Sequence, residues 1–89
     1  YAPKGVRVLA INPGLTNTTR VDEGLRAEAR LSGISQEEVL RRTVDRIPLG
    51  RLAEPEEIAS VAVFAASARA SYLTGVVIGM DGATLPVVV

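Results

Sequence analysis

The stretch Val6-Arg7-Val8-Leu9-Ala10-Ile11-Asn12-Pro13-Gly14 decides how the rest of the 89-residue chain is read. From Val6 to Ile11 five of six residues are apolar, and Val6, Val8 and Ile11 are β-branched. Pro3 and Gly5 bound the run on one side and Asn12-Pro13-Gly14 on the other. A short apolar run framed by such breakers predicts a strand buried on both faces, as in a parallel sheet. Arg7 is its one polar residue and is expected near the strand start, within reach of solvent.

Working outward, Leu15-Thr16-Asn17-Thr18-Thr19 is a polar loop rich in hydroxyls. Thr19 and Asp22 have the spacing of a capping box, and Val21, Leu25 and Ala29 follow at helical spacing up to Ser32-Gly33. Ser35 and Glu38 repeat that signature and open a second helix to about Arg46, with Leu40, Val44 and Ile47 as its apolar line. Glu37, Glu38, Arg41 and Arg42 are expected on its solvated face. Ile47-Pro48-Leu49-Gly50-Arg51 is a connector with two breakers. Pro55, at a first helical position, starts a third helix with Glu56 and Glu57 at its positive end. Its body, to Ala68, is mostly Ala and Val and is expected to pack on several sides. Thr74 to Met80 is a second β-branched run, closed by Asp81-Gly82. Two apolar strands joined through helices predict a right-handed βαβ crossover, with the two earlier helices inserted into it. The fold class is therefore α/β, and the tail Pro86-Val87-Val88-Val89 is apolar with no place assigned.

Composition narrows the function. Ten Lys and Arg balance ten Asp and Glu, whereas a nucleic-acid footprint needs a clustered basic excess. No apolar run approaches the ~18 residues of a bilayer span, so no membrane role is expected. There is no Cys and no His, which excludes a disulfide scaffold, a Cys-based zinc site and Ser–His or Cys–His chemistry from this chain alone, and no metal site is assigned. The opening Tyr1-Ala2-Pro3-Lys4-Gly5 is not a basic stretch leading into an apolar one, so no signal peptide is read and a cytoplasmic protein is expected. With no initiator Met, the chain is expected to be a piece of something longer.

Four short motifs in this order carry a resemblance. Ala2-Pro3-Lys4-Gly5-Val6-Arg7-Val8 with Asn12-Pro13-Gly14 resembles the sixth strand and following loop of the short-chain dehydrogenase/reductase family. Pro48-Leu49-Gly50-Arg51, Glu54-Pro55-Glu56-Glu57-Ile58-Ala59, and Tyr72-Leu73-Thr74-Gly75 through Asp81-Gly82 resemble its last helix and seventh strand. The resemblance runs from Ala2 to Ala83 and departs at Leu9, where the family often has Asn, and at Ala83, where it often has Gly. It implies the C-terminal part of a Rossmann-like, doubly wound parallel sheet: strand, lid helices, long helix, strand. The whole chain, 1–89, would be one part of a single domain, with the lid insertion at about 19–50 and the N-terminal nucleotide-binding part absent.

The resemblance also implies NAD or NADP as cofactor of a full-length parent, a small-molecule carbonyl or secondary alcohol as substrate, and a homo-oligomer. The family's catalytic Ser, Tyr and Lys would precede this segment, so no catalytic residue is assigned. Tyr1 is not that Tyr, because Gly5 stands where a Lys would be needed. Ligands of doubly wound sheets bind outside the carboxyl ends of the strands, and the Pro13-to-Thr18 loop leaves such an end. The cofactor-binding candidates in it are Pro13, which fixes chain direction, Gly14, which allows close approach to a flat ring, and, as the resemblance implies, Thr16 and Thr18. In the family, the position matching Thr16 meets the carboxamide through its backbone, and that matching Thr18 bonds the pyrophosphate through its hydroxyl. The plainer reading is a turn whose Thr residues cap the next helix. The rival to an enzyme fragment is a non-catalytic βαβ interaction or oligomerisation module.

Overall fold

The computed structural model describes residues 1–84, and the Pro86–Val89 tail lies outside the described residues. After a short 3-10 helix, Ala2–Lys4, the order is strand β1 (Leu9–Pro13), helices α1 (Thr19–Ser32), α2 (Gln36–Asp45) and α3 (Pro55–Ala66), a 3-10 turn at Ala68–Ala70, and strand β2 (Val76–Met80). The two strands pair in parallel, Leu9 opposite Val76 through Pro13 opposite Met80.

Strand β1 starts and ends three and two residues later than the Val6–Ile11 run suggests. Its start is set by its partner. Gly75, at φ 68, turns the chain into β2, so a continuous ladder begins only at Val76. Val8 is tied instead to that turn, its N–H donating to Thr74 Oγ1 at 3.1 Å and its C=O accepting from Gly75 N at 2.8 Å. Pro13 has no N–H to give, and the ladder passes it when Gly14 N–H donates to Met80 O at 2.8 Å.

Leu9 and Ile11 of β1 and Val76, Ile78 and Met80 of β2 are half-buried, and α3 packs on β1. The other face is bare: Val77 is 69% exposed, Ala10 is exposed, and Val8 just before β1 is 62% exposed. The strands are thus covered on one face, not both. Helix α3 likewise packs on one side. Ala65 is its one buried residue, while Val63 and Phe64 are exposed, so the apolar circumference is not enclosed as expected.

Arg7 is not a solvent-facing residue. Its guanidinium donates to Ala65 O at 2.8 Å and Ala70 O at 3.0 Å, with longer contacts to Ser67 O and Leu73 O at 3.4 Å. The last carbonyls of a helix lack intrahelical partners and carry its negative end, so a cation there is favourable. These bonds tie the end of α3 and the following turn to the segment just before β1.

Helices α1 and α2 pack mainly on each other. Thr18, not Thr19, caps α1, its Oγ1 accepting from Val21 N–H at 3.4 Å. Asp22 therefore has no capping duty and instead accepts from Gln36 Nε2 at 2.8 Å, joining the starts of the two helices. Ser35 caps α2 as expected, accepting from Glu38 N–H at 3.1 Å. The Glu38 carboxylate does not close a capping box. Arg41 and Arg42 claim it, which holds its pKa down at about 2. The inward residue of α2 is Val39, at 2% exposure, whereas Leu40 faces out at 38%.

Candidate functional site

Pro13, Gly14, Thr16 and Thr18 lie together at the carboxyl end of β1. Gly14 has a packing reason to be glycine. A Cβ there would sit 2.8 Å from Asp81 Cα and 3.0 Å from Asp81 Cβ. Any side chain would push apart the ends of β1 and β2, so strand approach requires this glycine whatever binds beside it.

Thr16 pairs with Ala53 as a parallel bridge, the short junction between the start and the end of the α1–α2 excursion. Its bonds run from Ala53 N to Leu15 O at 3.0 Å and from Asn17 N to Ala53 O at 2.7 Å. In extended chain, successive peptide groups point to alternate sides. With Leu15 C=O and Asn17 N–H directed at Ala53, the N–H and C=O of Thr16 itself point the other way. Neither makes a hydrogen bond among the described residues. The Thr16 side chain folds back, Oγ1 donating to Gly14 O at 3.1 Å, which stiffens the loop.

Thr18 is exposed at the N-terminus of α1, with extended φ −130 and ψ 165. As a cap its oxygen accepts, and its O–H proton stays available to donate. The capping and ligand-binding readings of Thr18 are therefore compatible in one geometry. Helix N-termini favour anions because their first N–H groups are unpaired and the helix dipole is positive there.

Against this geometry, the sequence profile of the family described as Enoyl-(Acyl carrier protein) reductase matches residues 1–83. The chain belongs to the short-chain dehydrogenase/reductase family. An uncharacterized short-chain type dehydrogenase/reductase of Sinorhizobium fredii is 41% identical over 87 residues, 98% of this chain but 14% of the relative. Among solved structures, a short-chain dehydrogenase family protein of Francisella tularensis has a TM-score of 0.89 at 31% identity, over 93% of this chain and 34% of that one. The L-sorbose reductase of Gluconobacter frateurii, solved with NADPH and L-sorbose, has a TM-score of 0.87 at 32% identity, over 98% of this chain and 34% of that one. The chain thus spans about a third or less of the relatives it matches.

These likenesses place the strand pair in the Rossmann-type sheet of the short-chain dehydrogenase/reductase fold. One family departure has a visible consequence: Ala83, where Gly is frequent, adopts a left-handed φ of 70. A non-glycine residue there costs about 1–2 kcal/mol.

Sequence reasoning gave Asn17, Arg51 and Ala53 no part in the site and Glu57 only a place at the positive end of α3, yet these four residues brace the loop from behind. Arg51 forks onto the Glu57 carboxylate at 2.6 and 2.9 Å. Arg51 and the Glu54 N–H hold the Glu57 pKa down at about 2. A cavity of about 370 Å³ opens beside them, lined by Leu15, Ile47, Leu49, Arg51, Met80 and Asp81 among others. None of the four candidate residues lines it. Among the described residues no group of His, Cys, Asp or Glu could hold a metal ion. No helix there is long and apolar enough to cross a membrane.

Proposed function

We propose that this segment is the nicotinamide-side edge and substrate lid of an NAD(P)-dependent oxidoreductase acting on a carbonyl or secondary alcohol. The observation that carries the reading is the outward-facing N–H and C=O of Thr16 at the carboxyl end of a parallel strand. One donor and one acceptor side by side match a carboxamide, which needs both. Thr18 would donate its hydroxyl proton to the pyrophosphate while still capping α1. The bound cofactor would supply or accept a hydride. This segment would orient the ring through Thr16, hold the phosphates near the start of α1, and cover the substrate with α1 and α2. The L-sorbose reductase solved with NADPH, and the sorbitol-6-phosphate 2-dehydrogenase of Erwinia amylovora at a TM-score of 0.84, support a reading in which the parent takes a small carbonyl or alcohol. Exposed Val63 and Phe64 on α3 support a homo-oligomeric parent.

The 89-residue chain itself would not turn over. Tyr1 and Tyr72, its two tyrosines, are 85% and 100% exposed, and Gly5 stands four residues after Tyr1. No His or Cys is present to exchange the hydroxyl proton. The test is a carbonyl panel assayed with NADH and NADPH, using the pure chain and the longer polypeptide that contains it. Turnover is expected from the longer polypeptide alone. Cofactor-dependent reduction by the 89-residue chain would overturn the inactivity, and a full-length protein that binds neither cofactor would overturn the function.

A further inference from the structure

The two peptide groups flanking Ala53 are each held from both sides. The Leu52–Ala53 group donates its N–H to Leu15 O at 3.0 Å, and its C=O accepts from Arg51 Nη1 at 3.1 Å. The Ala53–Glu54 group accepts from Asn17 N–H at 2.7 Å, and its own N–H donates to Glu57 Oε1 at 2.9 Å. Both bonds on the far side thus end on one ion pair, Arg51 with Glu57. Asn17 Nδ2 adds a longer contact to Glu54 Oε1 at 3.4 Å.

We propose that the Arg51–Glu57 pair is a positioning device for the Leu15–Asn17 loop, setting the direction in which Thr16 presents its backbone N–H and C=O to a ligand. The proposal rests on the nicotinamide reading only for the identity of that ligand. Its physical basis is geometric. The pair is half-exposed, at 57% and 42%, and an ion pair so placed adds little to stability. A planar guanidinium can bridge a carboxylate and a carbonyl at once with its angle fixed, which an ammonium on a flexible stem cannot do. Rotation of either Ala53 peptide plane would lengthen the bonds to Leu15 and Asn17, and the residue between them would turn with them. Glu57 remains ionised at any ordinary working pH, so the brace is permanent. Arg51 and Glu57 are therefore positioning residues, acting through Ala53.

The experiment uses the full-length polypeptide with Arg51→Met, Arg51→Lys and Glu57→Gln. Amide hydrogen exchange is read at Asn17 and Ala53, with amides within α2 as internal reference. Binding is read for the reduced dinucleotide and for ADP-ribose or its 2′-phosphate, which lack the nicotinamide. In Arg51→Met, exchange at Asn17 and Ala53 is expected to rise about tenfold with α2 unchanged. Dinucleotide affinity should fall about fivefold or more while ADP-ribose affinity holds. Arg51→Lys and Glu57→Gln, which keep the charge or the shape, should fall between that variant and the wild type. Unchanged exchange at both amides would overturn the proposal, as would equal acceleration in α2 or equal loss of both ligands. Faster exchange at the two amides in a protein that binds neither ligand would uphold the brace and sink the nicotinamide reading.

Discussion

Replacing Arg7 with methionine is expected to lower the unfolding free energy of the full-length protein by about 1.5–3 kcal/mol, the range for hydrogen bonds to a charged group. The guanidinium satisfies carbonyls at the end of α3 and in the following turn, the two shortest bonds going to Ala65 and Ala70. Those residues are 8% and 2% exposed, so water is a poor substitute for the lost donor. Methionine retains the stem and its packing, which isolates the donor's contribution. Arg7→Lys should recover part, because Nη1 alone meets Ala65, Ala70 and Leu73 O, and an ammonium replaces one nitrogen but not the Nη2 contact to Ser67 O. Denaturant unfolding checks this, and a change below about 0.5 kcal/mol for methionine, the level of an ordinary surface substitution, would contradict it.

The 89-residue polypeptide on its own is expected to self-associate or remain loosely packed. Among the described residues the buried hydrophobic set is Val39, Ile47, Ala65 and Ala70, and two of these are alanine. Val77 and Val8 stay mostly exposed on one sheet side, as does Val63 on α3, and Phe64 beside it is 45% exposed. Each large apolar side chain left in water forfeits about 1.5–3 kcal/mol of burial. Ordinary domains are stable by only about 5–15 kcal/mol, so a few such losses are decisive. Each described strand also pairs on one side alone, leaving an edge open to another chain. Sedimentation should show concentration-dependent mass, and melting should be broad. A cooperative monomer at micromolar concentration would contradict this account.

The elements were legible because their signals are local. Pro55 with two glutamates after it marks the start of α3, and Ser35 ahead of Glu38 marks that of α2. What sequence order alone hides is long-range. Leu9 rather than Val6 begins β1 because Gly75, far along the chain, delays its partner. Arg7 finds its carbonyls 58 to 66 residues away. Thr18 and Thr19 are chemically alike, and only the path of the chain from Gly14 through the Ala53 bridge selects Thr18 as the cap. Helix α3 is so rich in alanine and valine that no face stands out in sequence, and the missing packing on its outer side is visible only in three dimensions. The candidate loop was marked by the strand end it leaves, and Thr16 and Thr18 within it by resemblance. The physical reason that Thr16 has backbone groups to offer, and that Gly14 must be glycine, came from Ala53 and Asp81.

The central claim is that the loop after β1 binds a nicotinamide dinucleotide, with Thr18 donating to its pyrophosphate, and cofactor affinity in two Thr18 variants of the full-length protein tests it most directly. Thr18→Val removes both the cap and the donor, and should cost about 1–3 kcal/mol in binding, roughly 5- to 150-fold in Kd. Thr18→Asp separates the two roles, because aspartate caps a helix at least as well as threonine but sets a negative charge beside the phosphates. The account predicts a Thr18→Asp protein with wild-type melting temperature and a Kd for the dinucleotide weakened at least as much as in Thr18→Val. Wild-type affinity in the aspartate variant would contradict the account and leave Thr18 as a helix cap only.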